Sequence, residues 1–183
     1  MIELILGGAR SGKSTLAESR ALSLYQSKAT QFENILYVAT ATAYDDEMFE
    51  RIRHHQERRE SHWQLVEEPI KLAEVLENHN SANTIILVEC LTLWLTNLLC
   101  HSDSTLFSVE RKKLIQQLEQ SKAVIIIVSN ETGLGVVPMG ELSRRYVDEA
   151  GFLHQELAQI CDRVSLVVAG LEQVLKQLEV END

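Results

Sequence analysis

Cysteine is scarce in this chain of 183 residues. Cys90, Cys100 and Cys161 stand far apart, with no Cys-x-x-Cys pair. Neither a disulfide framework nor a cysteine zinc site is indicated. The simplest expectation is buried thiols in a reducing compartment. Long apolar runs are absent as well. Stretches such as Val124–Val128 are far too short to span a bilayer. The first strand is expected from residue 2, which predicts no signal peptide and a cytoplasmic protein. Positive charge is in deficit, and the formal net charge is −10. A nucleic-acid partner calls for a basic face, so that class is disfavoured. There is no internal repeat, low-complexity segment or linker. The length fits one domain over residues 1–183, with a C-terminal tail from about residue 172.

What the chain does contain is concentrated at its start. Ile5 and Leu6 close an apolar strand, and Gly7-Gly8-Ala9-Arg10-Ser11-Gly12-Lys13-Ser14 follows, leading into a helix. The spacing Gly7-x4-Gly12-Lys13-Ser14 is the P-loop pattern. Glycine permits backbone angles that turn successive N–H groups inward. Those groups and the helix N-terminus make a concave anion site. Lys13 adds a charge on the terminal phosphates. Ser14 offers a hydroxyl to the magnesium ion that accompanies a nucleoside triphosphate.

Apolar and amphipathic periods alternate down the rest of the chain. Strands are expected at 34–40, 84–90, 123–129 and 164–169, with a short extended piece at 63–66. Helices are expected at 14–26, 47–60, 70–78, 91–99, 107–121 and 141–161. The helix at 70–78 would have Pro69 at its first turn, and the one at 141–161 a break at Gly151. The tail from Glu172 reads as a marginal helix. Near-continuous apolar strands suit parallel pairing with both faces covered. The expectation is an α/β fold, P-loop NTPase-like (RecA-like), with a mainly parallel sheet and helices on both faces. Ligands then sit at the carboxyl ends of the strands.

Three further stretches would reach that edge. Glu89 directly follows Ile85-Ile86-Leu87-Val88, where a P-loop protein places its second magnesium-holding residue. On the helix at 47–60, Met48, Ile52, His55 and Arg59 share one face, and His54 is turned about 100° away. Arginines there suit phosphate oxygens, and an imidazole is a nucleophile. A solvated helix with two idle histidines stays open as the plainer alternative. Finally, Ser129-Asn130-Glu131 precedes Gly133-Leu134-Gly135-Val136-Val137-Pro138, a shaped loop rather than a simple turn. Arg144, Arg145 and Asp148 lie downstream, where an exposed salt-bridge face is equally reasonable.

In order along residues 2–171, these segments resemble the bifunctional adenosylcobinamide kinase / adenosylcobinamide-phosphate guanylyltransferase family. The match includes the P-loop, Tyr37-Val38-Ala39-Thr40-Ala41, Arg51-Ile52-Arg53-His54-His55 and Glu67-Glu68-Pro69. It continues through Glu89-Cys90-Leu91-Thr92-Leu93-Trp94, Ser129-Asn130-Glu131 and Val167-Val168-Ala169-Gly170. The resemblance implies His55 as the nucleotide-linked histidine. It also implies nucleotide contacts from Ala39, Thr40, Ala41, Gln56, Glu57, Arg58, Arg59, Glu67 and Glu89. Two residues depart from the family pattern. Glu89 stands where Asp is frequent, and His154 where Asn precedes Gln155.

The implied chemistry has two steps. ATP or GTP, with magnesium, phosphorylates the aminopropanol hydroxyl of adenosylcobinamide, and Lys13 stabilises the phosphates. His55 then takes GMP from GTP and passes it to adenosylcobinamide phosphate. The resemblance also implies a homo-oligomer, typically a trimer. Apolar Leu91, Trp94, Leu95, Leu98 and Leu99 are a second reason to expect association. A P-loop ATPase acting as a switch, or a kinase without the second activity, are the alternatives. Acid-labile label retained from α-labelled GTP separates the transferase from the switch.

Overall fold

A computed structural model describes residues 1–27, 32–41 and 62–178. Seven strands form one sheet: β1 (Ile2–Gly7), β2 (Asn34–Ala39), β3 (Trp63–Glu67), β4 (Thr84–Glu89), β5 (Val124–Asn130), β6 (Arg163–Val168) and β7 (Leu171–Gln177). The helices among the described residues are α1 (Lys13–Tyr25), α2 (Leu72–Asn78), α3 (Leu91–Leu99), α4 (Leu106–Glu119) and α5 (Glu141–Ile160). The strand order is β3-β2-β4-β5-β1-β6-β7. Pairing is parallel except at β7, which runs antiparallel to β6. The helix expected over 47–60 lies outside the described residues. No described helix is long and apolar enough to cross a membrane.

Alternate residues of each central strand enter opposite cores, because side chains on a strand have a period of two. Leu4, Leu6, Leu36, Val38, Ile86, Val88, Ile125 and Ile127 pack with Leu76, Trp94, Leu114 and Leu153 from α2, α3, α4 and α5. Ile5, Ile35, Tyr37, Ile85, Leu87, Ile126 and Val128 face the other way, against Ala17 and Ala21 of α1. Those alanines are fully buried, and their small size brings α1 close to the sheet. The expected α/β architecture with helices on both faces is therefore present.

Several details differ from the expectation. The tail from Glu172 is not a helix. Leu171–Gln177 is the antiparallel edge strand β7. Its turn places Ala169 at φ 52° and Gly170 at φ 79°. Two consecutive positive φ values are what a tight hairpin requires. Ala-Gly announces this turn less clearly than Asn-Gly, and the sequence reading missed it. Helix α5 passes through Gly151 unbroken, held by the buried stripe Ala150, Leu153 and Leu157. Pro69 does not open α2. The Glu68 carboxylate instead accepts from the Ile70 and Lys71 N–H groups at 2.8 Å each, ahead of the first turn. Cys90 and Cys161 are buried, but Cys100 is exposed. The apolar residues of α3 do not overflow the core. Leu91, Trp94, Leu95, Leu98 and Leu99 are all buried within this one chain, so they give no reason for association.

The edge strand is clipped down by charge. Glu3 of β1 is fully buried and paired with Arg20 of α1. Arg20 also reaches Glu172 of β7 at 2.8 Å, and Arg163 of β6 reaches Glu172 at 3.0 Å. Burial pushes the Glu3 carboxyl up, against the pull of the two arginines. Glu172 is held down to about 2, chiefly by its hydrogen bond from Arg20 and also by those from Ser165 and Arg163. A carboxylate depressed on folding adds stability above its unfolded pKa, and that stability is lost as pH falls through the folded value. Glu172→Gln is therefore expected to melt below the wild type at pH 7. The gap should close between about pH 4.5 and pH 2, where the wild-type carboxylate takes its proton. Thermal melts of both chains across that range check this.

Candidate active site at the carboxyl edge of the sheet

The P-loop is a tight turn fixed by backbone contacts. Ser11 N–H donates to the Gly8 carbonyl at 3.2 Å, and Leu16 N–H to the Gly12 carbonyl at 3.0 Å. Gly12 precedes α1 with φ 98°, and Arg10 adopts φ 56° without being glycine. The first turn of α1 carries no acidic residue of its own, so its positive end faces the loop. Lys13 is buried, and its Nζ donates to the Gly8 carbonyl at 3.1 Å. The ammonium thus lies across the loop. Gly8, Ala9 and Arg10 are exposed at the rim.

Glu89, at the end of β4, meets the P-loop directly. Ser14 Oγ donates to Glu89 Oε1 at 2.8 Å. The two residues that the sequence reading assigned to magnesium are thus side by side. A hydroxyl and a carboxylate are the hard oxygen donors that magnesium takes. Among the described residues, no cluster of three or more His, Cys, Asp or Glu accompanies them.

The loops following the strands are stitched together. Thr40 is fully buried. Its Oγ1 donates to the Cys90 carbonyl at 2.6 Å and accepts from Cys90 N–H at 3.0 Å. Asn97 Nδ2 donates to the carbonyls of Thr40 and Pro69, at 2.9 and 3.1 Å. Thr92 Oγ1 accepts from Asn130 N–H at 2.8 Å. Ala39 pairs with both Glu89 and Glu67 in the sheet, and Asn130 pairs with Gly7. Every described residue assigned to nucleotide binding therefore lies on or near the same edge. They are not all close to the P-loop. Glu67 is four strands from Gly7, about 19 Å at the usual strand spacing of ~4.8 Å. His55, Gln56, Glu57, Arg58 and Arg59 lie outside the described residues. The segment carrying them joins Ala41, just beyond β2, to His62, just before β3.

Residues 3–175 match the model of the family described as cobinamide kinase / cobinamide phosphate guanyltransferase. The chain belongs to this family. It is 53% identical to the bifunctional adenosylcobalamin biosynthesis protein CobP of Pseudomonas aeruginosa, over 96% of this chain and 98% of the relative. Against the bifunctional adenosylcobalamin biosynthesis proteins CobU of Escherichia coli and Salmonella typhimurium, identity is 35% and 36%. Each of those matches spans 93% of this chain and 97% of the relative.

Within this member of the cobinamide kinase / guanyltransferase family, sequence reasoning passed over several residues that shape the edge. Asn97 is one. A lone amide in the apolar run Leu91–Leu99 was the available signal, since a buried amide must find partners. Thr92 and His154 were noted only against the family pattern, and their contacts went unread because their partners come from distant parts of the chain. A groove of about 430 Å³ beside the edge is lined by Thr96, Leu99, Thr132, Pro138, Leu142 and Tyr146. Arg144, Arg145 and Asp148 are exposed, and Arg144 donates to the Met139 carbonyl.

Gly7 shows how little room the P-loop has. A Cβ there would lie 2.5 Å from Ser11 Oγ and 2.6 Å from the Val167 carbonyl oxygen. The carbonyl belongs to β6 and cannot rotate away. Gly7→Ala is expected to weaken nucleoside triphosphate binding at least tenfold, about 1.4 kcal/mol. It should lower the melting temperature as well. Titration calorimetry and a thermal melt on the same variant check this.

Proposed function

We propose that this chain catalyses both reactions named for its family, on adenosylcobinamide in the cytoplasm. In the first, ATP or GTP phosphorylates the hydroxyl of the aminopropanol arm. In the second, GMP from GTP is transferred to the resulting phosphate through a guanylylated His55, giving adenosylcobinamide-GDP. The observation that carries this reading is the P-loop joined to Glu89 through Ser14, in a chain whose relatives are named bifunctional. Phosphoryl transfer depends mainly on positioning and on stabilising charge. The loop N–H groups, the α1 N-terminus and Lys13 supply that charge. Ser14 and Glu89 would hold magnesium, whose chemistry is to neutralise phosphate oxygens. Lys13→Ala is expected to lower the phosphorylation rate at least a hundredfold, measured with radiolabelled nucleotide and cobinamide. A rate near wild type would sink the P-loop assignment.

The second reaction rests on His55. A covalent step divides a transfer between two anions into two transfers, each with one anionic partner. The anchors of the segment carrying His55 lie at β2 and β3, three and four strands from the P-loop strand. Both reactions would thus draw on one sheet edge from opposite ends. Association into a trimer belongs to the same proposal. The exposed side chains of Leu134, Val136 and Met139 supply apolar surface for it. His55→Ala is expected to abolish the acid-labile GMP adduct formed with GTP, and His54→Ala to leave most of it. Mass spectrometry of the intact chain checks this. An adduct on both variants would place the nucleophile elsewhere.

A further inference from the structure

Three side chains beside the P-loop have no part in the reading above. Strand β5 lies between the P-loop strand β1 and the Glu89 strand β4. Its end is therefore central to the edge. Asn130 pairs with Gly7, and Glu131 N–H donates to the Gly7 carbonyl at 3.1 Å. Glu131 thus stands where the P-loop begins. Ser129 lies in β5, and Glu131 is the first residue beyond its end. His154 of α5 meets both. Its Nε2 is 2.8 Å from Ser129 Oγ, and its Nδ1 is 3.9 Å from Glu131 Oε2.

The chemistry follows from burial. Ser129 is 2% exposed and sits within the sheet, so it is no nucleophile despite its histidine. His154 is 8% exposed. Burial lowers its pKa, against the pull of Glu131, and keeps the imidazole neutral. A neutral ring that accepts from Ser129 at Nε2 presents its Nδ1–H to Glu131. Glu131 is the solvent-facing end of the series, with its side chain 22% exposed. The Gly133 N–H fixes its other oxygen, Oε1. The carboxylate is therefore held at Oε1 and faces the imidazole at Oε2. Glu89 is engaged with Ser14, and Glu67 is four strands away. Among the described carboxylates at this edge, Glu131 is the one beside the P-loop and not committed to Ser14.

We propose that Glu131 is the general base of the phosphoryl-transfer step, and that His154, steadied by Ser129, is its positioning residue. The role rests on the kinase reading above. As the alcohol oxygen of the corrinoid attacks the γ-phosphorus, its proton passes to Glu131 Oε2. The new O–P bond forms while the bond from the γ-phosphorus to the β–γ bridging oxygen breaks. The nucleoside diphosphate leaves with that electron pair, and Glu131 returns its proton to solvent. The 3.9 Å separation from His154 is longer than a hydrogen bond, and contacts of this kind tighten in the reacting complex.

The test uses the full chain with ATP, magnesium and cobinamide, and in parallel GTP with preformed cobinamide phosphate. Glu131→Gln is expected to lower kcat for phosphorylation about a hundredfold, within the usual range for a lost general base. KM for ATP and the melting temperature should stay near wild type, and GMP transfer to preformed cobinamide phosphate should be unchanged. Glu131→Asp should recover part of the rate. His154→Ala should lower kcat about tenfold with KM unchanged, and His154→Asn, which keeps an N–H donor, should restore most of it. A Glu131→Gln rate within threefold of wild type overturns the role of Glu131. Equal losses in both reactions do the same, since they mark a structural residue. A wild-type chain that phosphorylates no cobinamide overturns the kinase reading, and this role with it.

Discussion

The close packing of backbone around Gly7 and Gly12 is the constraint on which the rest of this structure depends. The P-loop does not stand alone. The Val167 carbonyl of β6 closes on Gly7, and the Cα of Gly170 would lie 3.2 Å from a Cβ at Gly12. Gly170 N–H donates to the Ser11 carbonyl at 2.8 Å. The tip of the β6–β7 hairpin is therefore one wall of the loop. That hairpin is held in turn by Glu172, Arg163 and Arg20, with Arg20 rooted in α1, the helix that the loop opens. The end of the chain braces its beginning. Buried ion pairs contribute little net stability, because desolvation offsets their attraction. Here the network also settles where β7 lies.

The strand order decides how chemistry is distributed. Placing β5 between β1 and β4 sets three strand ends side by side: Gly7, Asn130 and Glu89. The P-loop backbone, a Ser14–Glu89 oxygen pair and a carboxylate facing a histidine then occupy neighbouring positions. The other half of the edge, at β2 and β3, carries Ala39, Thr40 and Glu67 and anchors the segment that bears His55. Hydrogen bonds at Thr40 and Asn97 tie the two halves together, and one accepted by Thr92 joins the ends of β4 and β5. Each joins a side chain to a backbone group of another loop, so the edge behaves as one surface rather than as independent loops.

Much of this was legible in the residues. The P-loop spacing, the acidic residue closing the β4 run and the alternation of strands with helices are local patterns, and they survive folding because each acts over a few residues. Helix α3 was placed at Leu91–Leu99, as the structure has it. What failed was of another kind. The tail was read as a helix because its pairing partner, β6, was not visible in its own periodicity. The apolar face of α3 was read as surplus because the depth of the core between α3, α4 and the sheet is a property of three elements together. His54 and His55 remain distinguished only by readings of the sequence, the expected helical phase and the family resemblance, since they lie outside the described residues.

The sequence by itself determined that a P-loop pattern opens the chain, that a parallel sheet follows, and which family the chain joins. Those depend on residue types at short spacing, which the chain carries wherever it folds. Only the tertiary structure decided that β5 enters between β1 and β4, bringing Glu131 to Gly7 and His154 to Ser129 and Glu131. It alone decided that Ser14 meets Glu89, 75 positions away, and that Gly170 closes over Ser11. The reason is physical. Strand order and hairpin docking minimise exposed apolar surface and unpaired backbone over the whole chain, and no local window contains that balance.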